Sequence, residues 1–258
     1  YPSLSNIPID CIQLRSEFFY QLNLLIVKVL PMVDLNLSSE QSFLTDRIRS
    51  AKIYLLKERK FQLLKDSIEK TSIYSYDIPE VTFDTIKASE NTNNVTHTMF
   101  YQAFQQLGSS AHNNFRKDRE RLWCATYIRM HSIDQGGPYR DSITQICSEI
   151  CSTKLPLFIL CPNGKNNQGS NRDCWVPNVF PPNESIPDEF KNQYRFVGQL
   201  IGMAIRNKHY LDLKFPHLVW KQLLDEPITI EDIQTVDLQS FTNIDEIEKY
   251  IEQMGSVD

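Results

Sequence analysis

The stretch from Gln193 to Leu238, QYRFVGQLIGMAIRNKHYLDLKFPHLVWKQLLDEPITIEDIQTVDL, constrains the fold more than any other part of the chain. Phe190, Tyr194, Val197, Ile201 and Ile205 recur at three- and four-residue steps, the period of one apolar stripe on a helix. Gly198 and Gly202 lie four apart on that helix. Mid-helix glycine costs helix propensity, so the pair predicts close approach of a neighbouring backbone. Arg206, Asn207 and Lys208 put positive charge and a helix breaker at the last turn. Pro216 suits the first position of a second helix, running to about Leu224 and stopped by Pro227. Thr229 and Asp232 have the spacing of a capping box that opens a third, short helix.

The residues Phe196, Gly198, Gly202, Ala204, Leu211, Asp212, Pro227, Thr229, Asp232, Val236 and Asp237 resemble, in kind and order, the N-terminal lobe of HECT-type ubiquitin ligases. The wording MAIRNKHYLDL and LVWKQL is most similar to the large HERC-type members. A second match lies upstream in SIDQGGPYRDSITQICSEI, where the Gly136–Gly137 pair follows Asp134. The resemblance covers roughly the last two thirds of the chain. It implies a mainly helical α+β fold, an N-lobe with small β elements over residues 80–258, preceded by a helical extension over residues 1–79.

Residues 1–79 carry three apolar stripes at helical spacing: Phe18, Phe19, Leu22, Ile26, Val29 and Leu30, ended by Pro31; then Phe43, Leu44, Ile48, Ala51 and Leu55; then Phe61, Leu64 and Ile68. No motif there points to chemistry, and the region reads as a scaffold. The chain from Glu80 to Val95 is polar, with a loop at Ser89–Asn94, and of the basic stretch the family carries in this vicinity it has Lys87 alone. A helix is predicted over His97–Leu107, with Phe100, Phe104 and Leu107 inward. Leu122–Met130 alternates Trp123, Ala125 and Tyr127 against Cys124, Thr126 and Ile128, a strand pattern. Gly136–Gly137–Pro138 predicts a turn and Asp141–Cys151 a helix. Leu155–Cys161 and Asp173–Val176 read as paired strands flanking a polar loop at Asn163–Asn171, and Pro177–Asn178 stands where the family usually has the reverse order.

Net charge is −5 and the sequence pI about 5.6, which argues against non-specific nucleic-acid binding. The longest apolar run, Leu22–Leu30, is interrupted by Asn23 and Lys28 and too short for a transmembrane segment. With no secretory signal in view, the six cysteines read as reduced thiols and the chain as cytoplasmic, and the acceptor-like triplets at Asn36, Asn94 and Asn183 carry little weight. The first residue, Tyr1, reads as the start of an internal or processed piece.

Cys147, Cys151, Cys161 and Cys174 lack the paired spacing of a structural zinc site, the five histidines are scattered, and no glycine-rich phosphate loop is present, so no cofactor or metal is expected. The resemblance implies covalent catalysis by a cysteine thiolate that accepts ubiquitin from an E2 conjugating enzyme. In the family that cysteine sits in the C-lobe, beyond the stretch matched here, and none of the six has the surrounding Thr/Ser-Cys-Phe pattern. All six therefore read as structural, with no catalytic residue in this chain. The partners implied are an E2, ubiquitin and an unknown protein substrate.

The resemblance also implies two surfaces. The E2-binding subdomain begins near the last helix, Leu238–Met254, whose Phe241, Ile244, Ile247 and Ile251 form one stripe. Most of that subdomain follows this point in the family, so the E2-binding surface here is expected to be incomplete. Core packing is the plainer reading of the stripe, with Ile247 expected to be core in a chain that extends through the whole lobe. A ubiquitin-binding patch lies near Lys154–Phe158, with Leu155, Leu157 and Phe158 as candidates and Leu155–Pro156 where strong binders carry an aromatic. The reading from a different class is a non-enzymatic helical scaffold with a vestigial HECT resemblance.

Overall fold

A computed structural model describes residues 7–33, 42–90, 94–129 and 136–255. The expected strand end at Met130, His131, the first residues of the upstream motif and the Asn36 triplet lie outside the described residues. The fold is mainly helical α+β, with small two-stranded sheets. The chain divides into two compact units, Tyr1–Ser72 and Ile73–Asp258.

The first unit holds α1 (Ile9–Val29), α2 (Phe43–Ser50) and α3 (Lys57–Lys70), with short 3-10 turns at Leu30–Met32 and Lys52–Tyr54. Ser42 caps α2 by accepting the Thr45 N–H. The expected stripes are only partly covered within this unit. Phe18, Phe43 and Phe61 are exposed, whereas Leu30 and Leu55 are buried. The best-buried side chain on α1 is polar. Asn23 donates to the carbonyls of Phe19 at 2.8 Å and Tyr54 at 2.9 Å, and its Oδ1 accepts the Leu56 N–H at 2.8 Å. It thus stitches the helix to the turn before α3, with its amide fully satisfied.

In the second unit, residues 73–79 run beside residues 116–117. The Ile73 N–H donates to the Arg116 carbonyl at 2.9 Å, and the Lys117 ammonium donates to the Asp77 carbonyl at 2.7 Å. There follow β1 (Glu80–Phe83), α4 (Thr85–Ser89), α5 (Met99–Leu107), α6 (Ala111–Asn114), β2 (Cys124–Tyr127) and α7 (Gly137–Ile150). After these come β3 (Phe158–Leu160), α8 (Pro162–Asn166), β4 (Trp175–Pro177), α9 (Asp188–Asn207), α10 (His217–Leu223), α11 (Ile230–Gln234) and α12 (Leu238–Gly255). β1 pairs parallel with β2, and β3 antiparallel with β4.

The alternation at β2 is as expected: Trp123, Ala125 and Tyr127 face the core, and Cys124, Thr126 and Ile128 do not. β1 falls in the stretch expected to be polar chain. Its own alternation, with Val81 and Phe83 fully buried, is the signal that such a reading passes over, because four residues are too few to show a period. The glycine turn sits at the start of α7, where Gly136 has φ of 104°, a conformation a side chain resists, and Pro138 lies in the first turn.

The core face of α9 is rotated from the expected stripe. Phe196, Val197, Leu200, Met203 and Ala204 are buried, whereas Ile205 is 56% exposed. Phe196 sets this orientation. Its ring meets those of Phe100 at 5.8 Å, Phe104 at 5.7 Å and Phe115 at 5.8 Å, drawing together α5, α9 and the end of α6. Rotation toward that cluster leaves the glycines outside. A Cβ added at Gly198 or Gly202 would meet nothing within 4 Å, so the expected close backbone approach is corrected: their side of α9 faces open space.

The N-terminus of α5 is held by Glu149 of α7, whose buried carboxylate accepts the Phe100 N–H at 2.8 Å. Burial pushes this carboxyl above its ordinary range, and the N–H groups of Phe100 and Met99 pull it back down.

Candidate docking site

The C-terminal helices are built on local capping and one buried amide. In α11, the Thr229 hydroxyl accepts the Asp232 N–H, and the Asp232 carboxylate accepts the Thr229 N–H at 2.8 Å, the reciprocal pair expected from the sequence. Asp232 also takes the Lys221 ammonium at 2.6 Å, which ties α10 to α11. Lys221 and the Thr229 N–H hold the Asp232 carboxyl down at about 2. Asp237 caps α12 by accepting the Ser240 N–H at 3.2 Å and its hydroxyl at 2.7 Å.

The stretch Asn163–Asn171, read as a polar loop, contains most of α8 and fastens the root of α12. Asn163 is 1% exposed. Its Nδ2 donates to the carbonyls of Ser170 at 3.0 Å and Thr235 at 3.1 Å, and its Oδ1 accepts the Leu238 N–H at 2.7 Å. Its own N–H donates to the Val236 carbonyl at 2.9 Å. Asn171 adds another amide to the Thr235 carbonyl at 3.1 Å. Asn-Gly sequences mark turns, so composition hid this role.

Beyond its root, α12 presents the predicted stripe to solvent. Phe241 is half-buried, Ile244 is exposed, and Ile247 and Ile251 are 58% and 64% exposed. Among the described residues of the second unit, Ile247 is not part of the core. Tyr250 and Met254 extend the exposed apolar surface.

The other candidate segment lies the opposite way. Leu155, Leu157 and Phe158 are all buried, and the Phe158 ring stacks on Phe215 at 4.7 Å. The Leu157 carbonyl accepts the Tyr194 hydroxyl. Lys154 and Pro156 are the exposed members of this segment, and Lys154 donates to the Ala88 carbonyl at 2.9 Å. The structure does not bring these residues together with the α12 stripe.

Residues 144–258 match the HECT-domain (ubiquitin-transferase) family. That segment is similar to a HECT domain. It is 29% identical over 247 residues to the human E3 ubiquitin-protein ligase HERC2 and equally to the mouse protein, an alignment covering 92% of this chain. The probable E3 ubiquitin-protein ligase HECTD4 of human is 26% identical over 265 residues, covering 95% of this chain. The chain spans about 5–6% of the length of these relatives. The resemblance to HECT-type ligases, and to the large HERC-type members, is thereby borne out.

Within and beside residues 144–258, the thiols are mostly sequestered. Cys147 and Cys161 are buried, Cys124, Cys151 and Cys174 are half-buried, and Cys11 is exposed. Burial pushes the Cys147 thiol up to about 12 and raises those of Cys151 and Cys174, so none of these three is poised as a thiolate. Among the described residues, no group of three or more His, Cys, Asp or Glu is placed to hold a metal ion, and no helix is long and apolar enough to cross a membrane.

Proposed function

We propose that residues 80–258 serve as the N-lobe of a HECT-type E3 ubiquitin-protein ligase, with residues 1–79 a helical extension to it. The N-lobe docks a ubiquitin-charged E2 through the apolar face of α12. Ubiquitin then passes to a protein substrate through a cysteine on a C-lobe outside these residues. The observation that carries this reading is the α12 face. Phe241, Ile244, Ile247 and Ile251 lie at helical steps on a firmly rooted helix, with the three isoleucines exposed, inside a segment matched to the ubiquitin-transferase family. Side chains already in water add nothing to folding and remain available to a partner. Fully burying an isoleucine in an interface is worth about 1.5–3 kcal/mol. Any ubiquitin contact near Lys154–Phe158 falls to the exposed Lys154 and Pro156, with Leu155, Leu157 and Phe158 shaping the segment from below.

The test is titration of a panel of labelled E2 enzymes against the wild-type chain and the Ile247→Asp/Ile251→Asp variant, with thermal melts of both. Weakened E2 binding at an unchanged melting temperature supports the docking face. Equal binding by both proteins removes it. In parallel, incubation with E1, E2 and ubiquitin should give no reducible ubiquitin adduct on any of the six cysteines. Such an adduct would place the transfer chemistry in this chain after all.

A further inference from the structure

The end of the β3–β4 ladder brings two cysteines face to face. The register Leu160↔Trp175 makes Cys161 and Cys174 the next opposed pair, and the Cys161 N–H donates to the Cys174 carbonyl at 3.0 Å. The Cys174 N–H turns instead to the Asn171 carbonyl, so the pair keeps one of the two ladder bonds. Directly opposed residues in an antiparallel pair point to the same side, with Cα atoms about 4.5–5.5 Å apart. That separation lies within the range a disulfide spans, about 4.4–6.8 Å. The sulfurs also converge on one residue: Cys161 Sγ donates to the Asn171 carbonyl at 3.1 Å, and Cys174 Sγ approaches Asn171 Oδ1 at 3.8 Å. The chain between them bends at Asn171, whose φ is 54°. Cys174 is half-buried and within reach of a small reagent, whereas Cys161 is fully buried behind it.

We propose that Cys161 and Cys174 are a cross-strand redox pair that closes to a disulfide when the chain meets a small-molecule disulfide such as oxidised glutathione. The Cys174 thiolate attacks one sulfur of the reagent, forming a mixed disulfide and expelling one glutathione thiolate. Cys161 then attacks the Cys174 sulfur, and the second glutathione leaves, taking up the Cys161 proton. Both protein thiols are oxidised, and one glutathione disulfide is reduced to two thiols. The first step speeds up as pH rises, because burial raises the Cys174 thiol above its ordinary value. Closure costs the fold little. The Asn171 carbonyl that loses the Cys161 thiol as donor still accepts the Cys174 N–H at 3.0 Å. The bond would lie immediately behind the Asn171 amide that holds Thr235, and so would brace the loop on which α12 is rooted.

The experiment is peptide mapping of the wild-type chain after treatment with oxidised glutathione and alkylation of the remaining thiols under denaturing, non-reducing conditions. Cleavage after Lys and Arg places Cys161 in residues 155–165, Cys174 in residues 173–191, and Cys147 with Cys151 in residues 141–154. The expected product joins 155–165 to 173–191, leaves four of the six cysteines alkylated, and persists in the Cys151→Ser variant. A bond between 141–154 and 173–191, a glutathione adduct that stays on Cys174, or six alkylated cysteines would each overturn the proposal. The wild-type map decides the question even if the Cys161→Ser variant fails to fold.

Discussion

The Leu238 N–H donates to the side-chain oxygen of Asn163 at 2.7 Å, joining positions 75 residues apart. The same amide donates to the Ser170 and Thr235 carbonyls, so one buried side chain organises both the loop around it and the start of α12. Asn163→Ala would leave the part-buried Leu238 N–H and the Ser170 carbonyl without these partners, at a cost of about 1–3 kcal/mol. Denaturant unfolding should show that loss, and hydrogen exchange should show the Leu238 amide exchanging faster than in the wild type. Asn163→Asp keeps an acceptor for Leu238 but turns a carboxylate toward two carbonyls, and should be at least as damaging.

The open side of α9 makes a contrasting prediction. Alanine is favoured over glycine in a helix interior by about 1 kcal/mol. A methyl group at Gly198 or Gly202 meets no neighbouring atom within 4 Å. Gly202→Ala and Gly198→Ala should each raise the melting temperature of the chain by a few degrees. A fall in either would show that something packs on this face.

Glu149 should impose a pH dependence with a definite sign. Burial raises its folded-state pKa above the ordinary 4.5, so folding favours the protonated form. Its contribution to stability is therefore greatest below 4.5 and declines as pH rises through the raised folded value. Glu149→Gln keeps an oxygen to accept the Phe100 N–H and removes the titration. The stability difference between wild type and variant should shift in favour of the variant as pH rises above 4.5 and level off above the folded pKa. A difference that stays flat would show that this carboxyl is not raised.

Asp232 acts in the opposite sense. Lys221 and the Thr229 N–H lower its pKa from 3.8 to about 2, so its contribution is fully present above 3.8 and is lost as pH falls through about 2. Asp232→Asn should lower the melting temperature at neutral pH, and the gap to wild type should close in acid. Lys221→Ala should reproduce part of that gap.

Local sequence determined the elements whose cause is local. The Thr229–Asp232 box lies within one turn, Pro227 lies just beyond the turn that ends α10, and the alternation at β2 announces its buried face, so short windows sufficed. The order of Phe196, Gly198, Gly202, Asp212 and Thr229 carried the family resemblance for the same reason. Tertiary structure alone decided which side of α9 faces inward. Gly198 and Gly202 are compatible with a packed or an open face, and it is the ring cluster about Phe196, assembled from three parts of the chain, that turns them out. It likewise decided that Leu155, Leu157 and Phe158 are buried while the isoleucines of α12 are not, since a stripe of apolar residues specifies a face but not what covers it. Asn23 and Asn163 were legible only as an interruption of an apolar run and as a turn residue. Their role depends on backbone groups tens of residues away, with which hydrogen bonds exist only once the chain has folded.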